Sequence, residues 1–366
     1  MSKRDHGDGG IDQRGPDRWR LRYRLHGKRL TKSFCGSKRA AQAELRRLVA
    51  EVDAGNAVAP ETITVGTYLR DWLAGNHGLS GKTVERYRQL GERQIIPHLG
   101  DVTLQKLRPV QIHEWHGALL AEGLAARTVG HAHRVLHRGL ARAMELELVS
   151  RNVASVVRPP KVETAEVEIL DQRQIADVLA GLEGHSLYPI VAFALGTGMR
   201  RGEICALAWD AVEGARVRVE RSLEETEQGL RFKSPKTRAG VRTISLPSAT
   251  VEALRVHRAA QLEHHLKHQL GRPELVFGLA DGSPYPPDKL SRDWGNVVRD
   301  RKLPRVRFHA LRHSHASALI AAGLDIVSVS QRLGHGSPAI TLGVYAHRFG
   351  AKDEAAARAI DAVLPA

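Results

Sequence analysis

Four residues in the C-terminal part of the chain could together handle a phosphate ester. They are His309, Arg312, His335 and Tyr345, which supply two imidazoles, one guanidinium and one phenol. A guanidinium and imidazoles can hold a phosphate oxyanion, and a phenol hydroxyl can attack the phosphorus. The set therefore indicates chemistry at a phosphate, provided that the fold brings the four side chains together.

Predicted helices and turns carry these four side chains. The sequence predicts a helix over residues 309–322, on which the first histidine and the arginine, at i and i+3, project from one face. A second helix begins at Asp325 and closes at the turn 334–336, and a third begins at residues 337–338, with proline in its first turn. Tyr345 lies inside or at the end of this third helix.

The charge balance of the chain points to an anionic partner. In 366 residues, 55 Lys and Arg stand against 40 Asp and Glu, which gives a net charge of +15 and a pI near 10.2. The basic residues are spread over predicted folded segments, so nucleic acid is expected before membrane. The alternative is a generally basic soluble protein, which charge alone does not exclude.

The cysteine count favours a reducing, cytoplasmic compartment. Cys35 and Cys205 are the only cysteines in the sequence, so neither a disulfide framework nor a thiolate zinc site is expected. The N-terminus is polar and glycine-rich, unlike a signal peptide. The longest apolar run, residues 190–195, is too short to cross a bilayer, and no membrane association is expected.

The N-terminal segment predicts a small sheet with one basic face. Residues 1 to about 15 are expected to be disordered. Over residues 18–25 apolar and basic side chains alternate, as in a strand with one buried face. The basic positions of this strand are Arg18, Arg20, Arg22 and Arg24. A second strand (28–34) and a helix capped by Ser37 follow. An open sheet face of this kind fits a DNA major groove; the alternative is a half-buried strand with solvated charges.

A helical segment follows a short linker at 54–61. Its last helix, predicted over 126–147, carries a basic stripe at i+4 spacing on the face opposite its apolar residues. The stripe consists of Arg134, Arg138 and Arg142. It is either a phosphate-contacting face or a solvated one. An earlier helix, 82–95, is expected to stop at residues 97–100.

From residue 169 onward the pattern changes to mixed helix and strand. A glycine-rich turn over 196–203 enters a helix predicted over 203–209. Short strands are predicted over residues 216–222, 230–233 and 242–246. Lys236 lies in the connection between the last two strands.

Five motifs in chain order resemble the tyrosine recombinases of the phage-integrase type. They are Thr-Gly-Met-Arg200-Arg-Gly-Glu203, Lys236 in its hairpin, His309-Ala-Leu-Arg312, Leu-Gly-His335 and Tyr345-Ala-His. The resemblance covers about residues 169–350. Each motif alone is weak, whereas all five in the right order are specific. Met199 stands where the family often has leucine, a conservative change at a packing position.

The resemblance implies cutting and rejoining of DNA at a phosphodiester. Arg200 and Arg312 would bind the non-bridging oxygens, which suits bidentate guanidiniums better than a lysine. Tyr345 would be the nucleophile, forming a 3′-phosphotyrosyl link. His309 would act as general base or phosphate ligand, and His335 would hydrogen-bond the phosphate.

The resemblance also implies a general acid for the leaving 5′-hydroxyl. That acid would be Lys236, because Lys-Thr before a hairpin turn matches the family pattern, and Lys233 is the alternative. Glu203 is expected to be structural and to steady Arg200. Two arginines and a lysine supply the positive charge, so neither a cofactor nor a metal is expected.

The implied architecture is α+β and mainly helical, with three domains. Residues 1–58 would form a small arm-binding domain of sheet plus helix, and 62–156 a helical, SAM-like core-binding domain. Residues 169–350 would form a mixed α/β catalytic domain of the tyrosine recombinase type. Separately from the resemblance, the detached amphipathic face of the helix predicted over 351–366 suggests that it packs on a neighbouring subunit.

The function expected from these features is that of a site-specific recombinase, the integrase of a phage or integrative element, which also excises it. The expected partners are double-stranded DNA with core and arm attachment sites, a homotetramer on paired sites, a DNA-bending protein and an excisionase. Two alternatives remain at this point: a type IB-like topoisomerase and a non-catalytic DNA-binding regulator. A metal-dependent nuclease would need clustered carboxylates near the phosphate, and the sequence places none there.

Overall fold

The computed structural model describes residues 9–25, 27–54, 58, 61–75, 78–163, 167–235 and 238–345. The chain divides into two compact units, Met1–Glu163 and Thr164–Ala366. Lys236 and the segment 351–366 lie outside the described residues, so the predictions about them stay predictions. Within the described ranges, no helix combines the length and apolar character needed to cross a membrane.

The first unit begins with a three-stranded antiparallel sheet and one helix. These elements are β1 (Gly10–Gly15), β2 (Arg18–Leu25), β3 (Lys28–Cys35) and α1 (Lys38–Asp53), with β2 in the middle of the sheet. Trp19, Leu21 and Tyr23 of β2 are buried against α1, as their period-two spacing predicts. The expected disorder up to about residue 15 was wrong for β1. That strand gains order by pairing its backbone with β2, and its Ile11 packs on the same core.

A separate apolar core in the first unit is built from helices. They are α2 (Val65–Ala74), α3 (Gly81–Leu90), α4 (Ile96–Leu99), α5 (Pro109–Ala121) and α6 (Ala126–Glu145). The expected stop at residues 97–100 is confirmed, since α4 ends at Leu99 with Gly100 as its C-cap, but the single helix expected over 82–95 was wrong in detail. A π-helical turn, Gly91–Ile95, joins α3 to α4, and Pro97 lies in the first turn of α4, where its missing N–H is tolerated.

The second unit mixes helices with short antiparallel strands. Its helices are α7 (Gln172–Gly181), α8 (Tyr188–Thr197), α9 (Arg201–Cys205), α10 (Ser248–Lys267), α11 (Pro287–Asp300), α12 (Phe308–Ala321), α13 (Ile326–Leu333) and α14 (Pro338–Tyr345). Its strands are β4 (Val212–Glu213), β5 (Arg216–Val219), β6 (Ser222–Thr226), β7 (Gly229–Lys233) and β8 (Arg242–Ser245). One sheet has the order β4-β5-β8, and β6 and β7 form a separate hairpin. The prediction of a mainly helical α+β fold is confirmed.

Two sequence predictions in this unit needed correction. The strand expected over 216–222 is two strands in different sheets, because β5 pairs with β8 whereas β6 pairs with β7. The helix expected over 203–209 is the shorter α9. It starts earlier because the Glu203 carboxylate accepts a hydrogen bond from the backbone N–H of Arg200, which caps the first turn.

The core of the second unit fixes the elements that carry the predicted site. Phe193 of α8, Trp294 of α11 and Leu311 of α12 are almost fully buried in one apolar cluster. A second, smaller cluster joins α12, α13 and α14 through Ala316, Leu333 and Tyr345. The predicted phosphate-binding side chains therefore lie on helices that are anchored by buried apolar residues.

Candidate active site

The turn after α8 places Arg200. Gly198 ends α8 with φ +65°, and a Cβ there would lie 2.5 Å from the His315 ring, so only glycine fits. The guanidinium of Arg200 donates from Nη1 to Glu203 Oε1 at 2.8 Å. Its Nη2 donates to the carbonyl of Gly334 at 2.8 Å. The expected steadying of Arg200 by Glu203 corresponds to the first of these contacts.

Arg312, on α12, is held by two backbone carbonyls. Its Nη1 donates to the carbonyl of Gly198 at 2.7 Å and its Nη2 to that of Leu333 at 2.8 Å. Burial lowers its pKa to about 9, and the nearby Arg200 adds to the effect. Because this pKa still lies above 7, the guanidinium stays charged at pH 7. Two contacts use two of its five N–H groups, which leaves donors for an anion.

His335 follows the C-terminus of α13, where the chain turns at Gly334 with φ +66°. Its Nδ1 is hydrogen-bonded to the buried hydroxyl of Thr341 at 2.8 Å. Burial, and then the charges of Arg312 and Arg200, lower its pKa to about 4. The imidazole is therefore neutral at pH 7 and can donate one hydrogen bond to an oxyanion.

Tyr345, the last residue of α14, is only 3% exposed. Its hydroxyl is hydrogen-bonded to Nδ1 of His313 at 2.6 Å. Burial raises the pKa of Tyr345 to about 12, against the opposing pull of Arg312. The phenol therefore stays protonated at neutral pH.

Two histidines lie one turn apart on α12, and the second of them, His313, contacts this phenol. The rings of His309 and His313 are nearly perpendicular, with centroids 4.9 Å apart. Burial lowers the pKa of His309, and Arg312 and Arg200 add to the shift. For His313 burial, and then His309 and Arg312, lower the pKa to about 4. Both imidazoles are thus available as neutral hydrogen-bonding groups.

The structure brings five of the predicted catalytic residues into one region: Arg200, His309, Arg312, His335 and Tyr345. Lys236 lies outside the described residues. The alternative acid, Lys233, is paired with the buried carboxylate of Glu224 across the β6–β7 hairpin. That pairing occupies its ammonium group within the hairpin.

Sequence reasoning missed some residues of this region. His313 contacts Tyr345, and its position four residues after His309 on one helix face was a usable signal. A cleft of about 810 Å³ also opens beside His309. Its basic lining residues are Arg201, Arg299, Arg305 and Arg307. Arg299, Arg305 and Arg307 lie within nine residues of the sequence, and that local basic run was a usable signal. Arg201 comes from a distant segment, so its place beside them depends on the fold.

The predicted DNA-contacting arginines differ in their availability. Arg18, Arg20 and Arg24 are exposed on β2, whereas Arg22 is half-buried and paired with Asp12 at 2.8 Å. The stripe on α6, Arg134, Arg138 and Arg142, is exposed. Arg142 also pairs with Glu145 at 2.7 Å. These contacts leave most of both basic faces open to an anionic partner.

Comparison with known proteins agrees with this geometry. The family model described as "Phage integrase family" matches residues 168–351, and the model described as "Phage integrase, N-terminal SAM-like domain" matches residues 64–120. An integrase of Streptomyces ambofaciens is 31% identical, over 94% of this chain and 93% of that protein. A XerC-like tyrosine recombinase of Caldanaerobacter subterraneus subsp. tengcongensis is 27% identical, over 88% of this chain and 89% of that protein.

Solved structures with the same fold include two integrases. The Tn1549 transposon integrase in complex with transposon right end DNA has a TM-score of 0.70 at 21% identity, covering 82% of this chain and 100% of that one. A lambda integrase dimer bound to a COC′ core site has a TM-score of 0.59 at 17% identity, covering 95% of this chain and 97% of that one. The chain belongs to the phage integrase family. It is accordingly a tyrosine-type site-specific DNA recombinase.

Proposed function

We propose that Tyr345 attacks a DNA phosphodiester held by Arg200 and Arg312. The observation that carries this assignment is the joint anchoring of the two guanidiniums. They donate to the adjacent carbonyls of Gly334 and Leu333, at the end of the helix that precedes α14. Two fixed positive groups side by side suit the charge that develops on the non-bridging oxygens.

The other side chains have distinct roles in this proposal. His335 donates a hydrogen bond to the phosphate, and His309 is a base or a phosphate ligand. Lys236 protonates the leaving 5′-oxygen. As the Tyr345 oxygen bonds to phosphorus, its proton passes to His309 in the role of base. The bond from phosphorus to the 5′-oxygen breaks, and that oxygen takes the proton from Lys236. The phosphotyrosyl ester retains the bond energy, so a second 5′-hydroxyl can reverse the step.

The proposal extends to DNA sites and assembly. Residues 1–58 bind arm-type sites through the exposed arginines of β2, and residues 62–156 hold core sites through the stripe on α6. The basic cleft beside His309 contacts phosphates flanking the cut. The solved structures that share this fold include a lambda integrase tetramer bound to a Holliday junction, which supports a tetramer on paired sites here. A DNA-bending protein, an excisionase and trans packing of residues 351–366 complete the assembly.

A nicked suicide substrate tests the assignment of the nucleophile. On such DNA the released strand diffuses away, so the covalent protein–DNA complex accumulates and can be counted on a denaturing gel. Tyr345→Phe is expected to abolish that complex and to leave DNA binding unchanged. Tyr285→Phe is the matched control, because it also removes a hydrogen-bonded hydroxyl from a buried ring. Covalent trapping by Tyr345→Phe would refute the assignment.

A further inference from the structure

Arg242, on β8, has no part in the roles above, yet it is tied into the site by four hydrogen bonds. Its side chain is 8% exposed. Nη1 and Nη2 donate to the two carboxylate oxygens of Glu203, at 3.3 and 2.9 Å. Nε donates to the carbonyl of Arg332 at 2.8 Å, and Nη1 also donates to that of Gly240 at 3.1 Å. With four of five N–H groups used, Arg242 is a poor candidate for direct phosphate binding.

Glu203 joins Arg242 to Arg200. It is 4% exposed, and besides Arg242 its carboxylate accepts from the backbone N–H of Arg200 at 2.9 Å and from the Arg200 guanidinium at 2.8 Å. Burial by itself would raise the pKa of Glu203, but the bonds and charge of Arg242, with those of Arg200, outweigh burial and lower it. Arg242 therefore contributes strongly to keeping this buried carboxylate ionised.

The C-terminus of α13 adds a second connection. Its three successive carbonyls, those of Arg332, Leu333 and Gly334, each accept from a different guanidinium. The three donors are Arg242, Arg312 and Arg200, in that order, each at 2.8 Å. Terminal helix carbonyls lack intrahelical partners and carry the negative end of the helix dipole, so they suit cations. Arg242 thus shares one anchoring surface with both proposed phosphate-binding arginines.

We propose that Arg242 is a positioning residue for recombination, which fixes the Arg200 guanidinium through Glu203 and the end of α13. This inference rests on the proposed function of Arg200 as a phosphate ligand. Without Arg242, Glu203 would be a buried carboxylate with one cationic partner instead of two. It would then protonate more readily and release the backbone and guanidinium of Arg200. A shift of about 1 Å at a reacting group lowers rates by about 10²-fold.

The experiment measures single-turnover cleavage of the nicked substrate and, separately, DNA binding by the full chain. Arg242→Gln is expected to slow cleavage about 10- to 100-fold while the Kd for DNA stays within about threefold. Arg242→Lys should rescue little, because one ammonium cannot reproduce the fork that spans both carboxylate oxygens. Arg218→Gln is the matched control, since it removes an exposed arginine from the neighbouring strand β5. Its cleavage rate should equal the wild-type rate.

The pH profile and a double mutant separate positioning from general structural damage. In Arg242→Gln the cleavage rate should rise with pH as Glu203 ionises, a dependence that the wild type lacks. Among the residues that the structure describes, the charged group that faces Glu203 besides Arg242 is Arg200, with Arg312 nearby. Glu203→Gln combined with Arg242→Gln should cleave no more slowly than Glu203→Gln alone, and should lack the pH dependence, because no buried charge remains to be stabilised.

Several outcomes would overturn the inference. They are additive losses in the double mutant, equal losses of binding and cleavage in Arg242→Gln, or wild-type cleavage by that variant. Arg200→Lys, measured in parallel, distinguishes a failure of the positioning role of Arg242 from a failure of the proposed function of Arg200. Wild-type cleavage by Arg200→Lys would refute the proposed function itself. Slow cleavage by Arg200→Lys with normal cleavage by Arg242→Gln would refute only the positioning role.

Discussion

The bond between Tyr345 and His313 gives the sharpest prediction for the nucleophile. The two side chains are joined at 2.6 Å, and the phenol is 3% exposed. His313→Ala removes the partner of this buried hydroxyl. His313→Asn replaces the ring with an amide that places a polar atom near the position of Nδ1. The two variants therefore differ in whether the hydroxyl keeps a hydrogen bond.

The expected magnitudes follow from burial of the phenol. A buried hydroxyl left without a partner costs about 1–3 kcal/mol of stability. In a unit of this size each kcal/mol lowers Tm by roughly 2–4 °C. If the Tyr345 ring is displaced by about 1 Å, the variant is expected to cleave DNA about 10²-fold more slowly. We expect His313→Ala to show both effects and His313→Asn to remain within about tenfold of the wild-type rate, which corresponds to roughly 1.4 kcal/mol.

The assay is covalent trapping on the nicked substrate over time, with Tm measured on the same preparations. His268→Ala controls for removal of an exposed histidine from the same unit. DNA binding should be unchanged in all three variants. If His313→Ala trapped DNA at the wild-type rate, the bond would have no role in aligning the nucleophile. A faster rate would mean that His313 restrains the phenol instead of aligning it.

Three further predictions concern stability and DNA contact. Gly198→Ala should lower the free energy of unfolding by at least about 1 kcal/mol, because φ is +65° and a Cβ would meet His315. Gly295→Ala in α11, where the space around the glycine is open, should be neutral or stabilising in the same denaturant titration. Equal effects of the two substitutions would contradict this prediction. Burial lowers the pKa values of His315 and His335 to about 4 in the folded protein. In the unfolded chain these histidines have a pKa near 6.5, so between about pH 6.5 and 4 the unfolded state binds more protons than the folded state. Stability should therefore fall as pH drops through this window. Denaturation midpoints that stay constant across that window would be inconsistent with neutral histidines. Arg20→Gln should weaken binding of arm-site DNA and reduce the slope of log Kd against log salt by about one, and an unchanged slope would exclude a phosphate contact.

The sequence was most informative where structure depends on neighbours along the chain. The alternation of apolar and basic residues predicted β2, and the spacing of Arg134, Arg138 and Arg142 predicted the exposed face of α6. It was least informative at breaks in regular structure. The π-helical turn before Pro97 interrupts the helix within a continuous run of helical residues. The division of 216–222 between two sheets depends on backbone pairing with other segments, β8 for β5 and β7 for β6. Local side-chain patterns carry no signal for such pairing.

The sequence by itself determined which reactive groups are present and which of them share a helix. His309 and Arg312 lie on one face because an α-helix repeats every 3.6 residues, whatever surrounds it. Only the tertiary structure decided which groups meet. Folding brings the turn after α8, strand β8 and the end of α13 to one place, so that three guanidiniums bind three successive carbonyls. It also buries Tyr345 against His313, because apolar packing of α14 on α12 and α13 fixes the position of that ring.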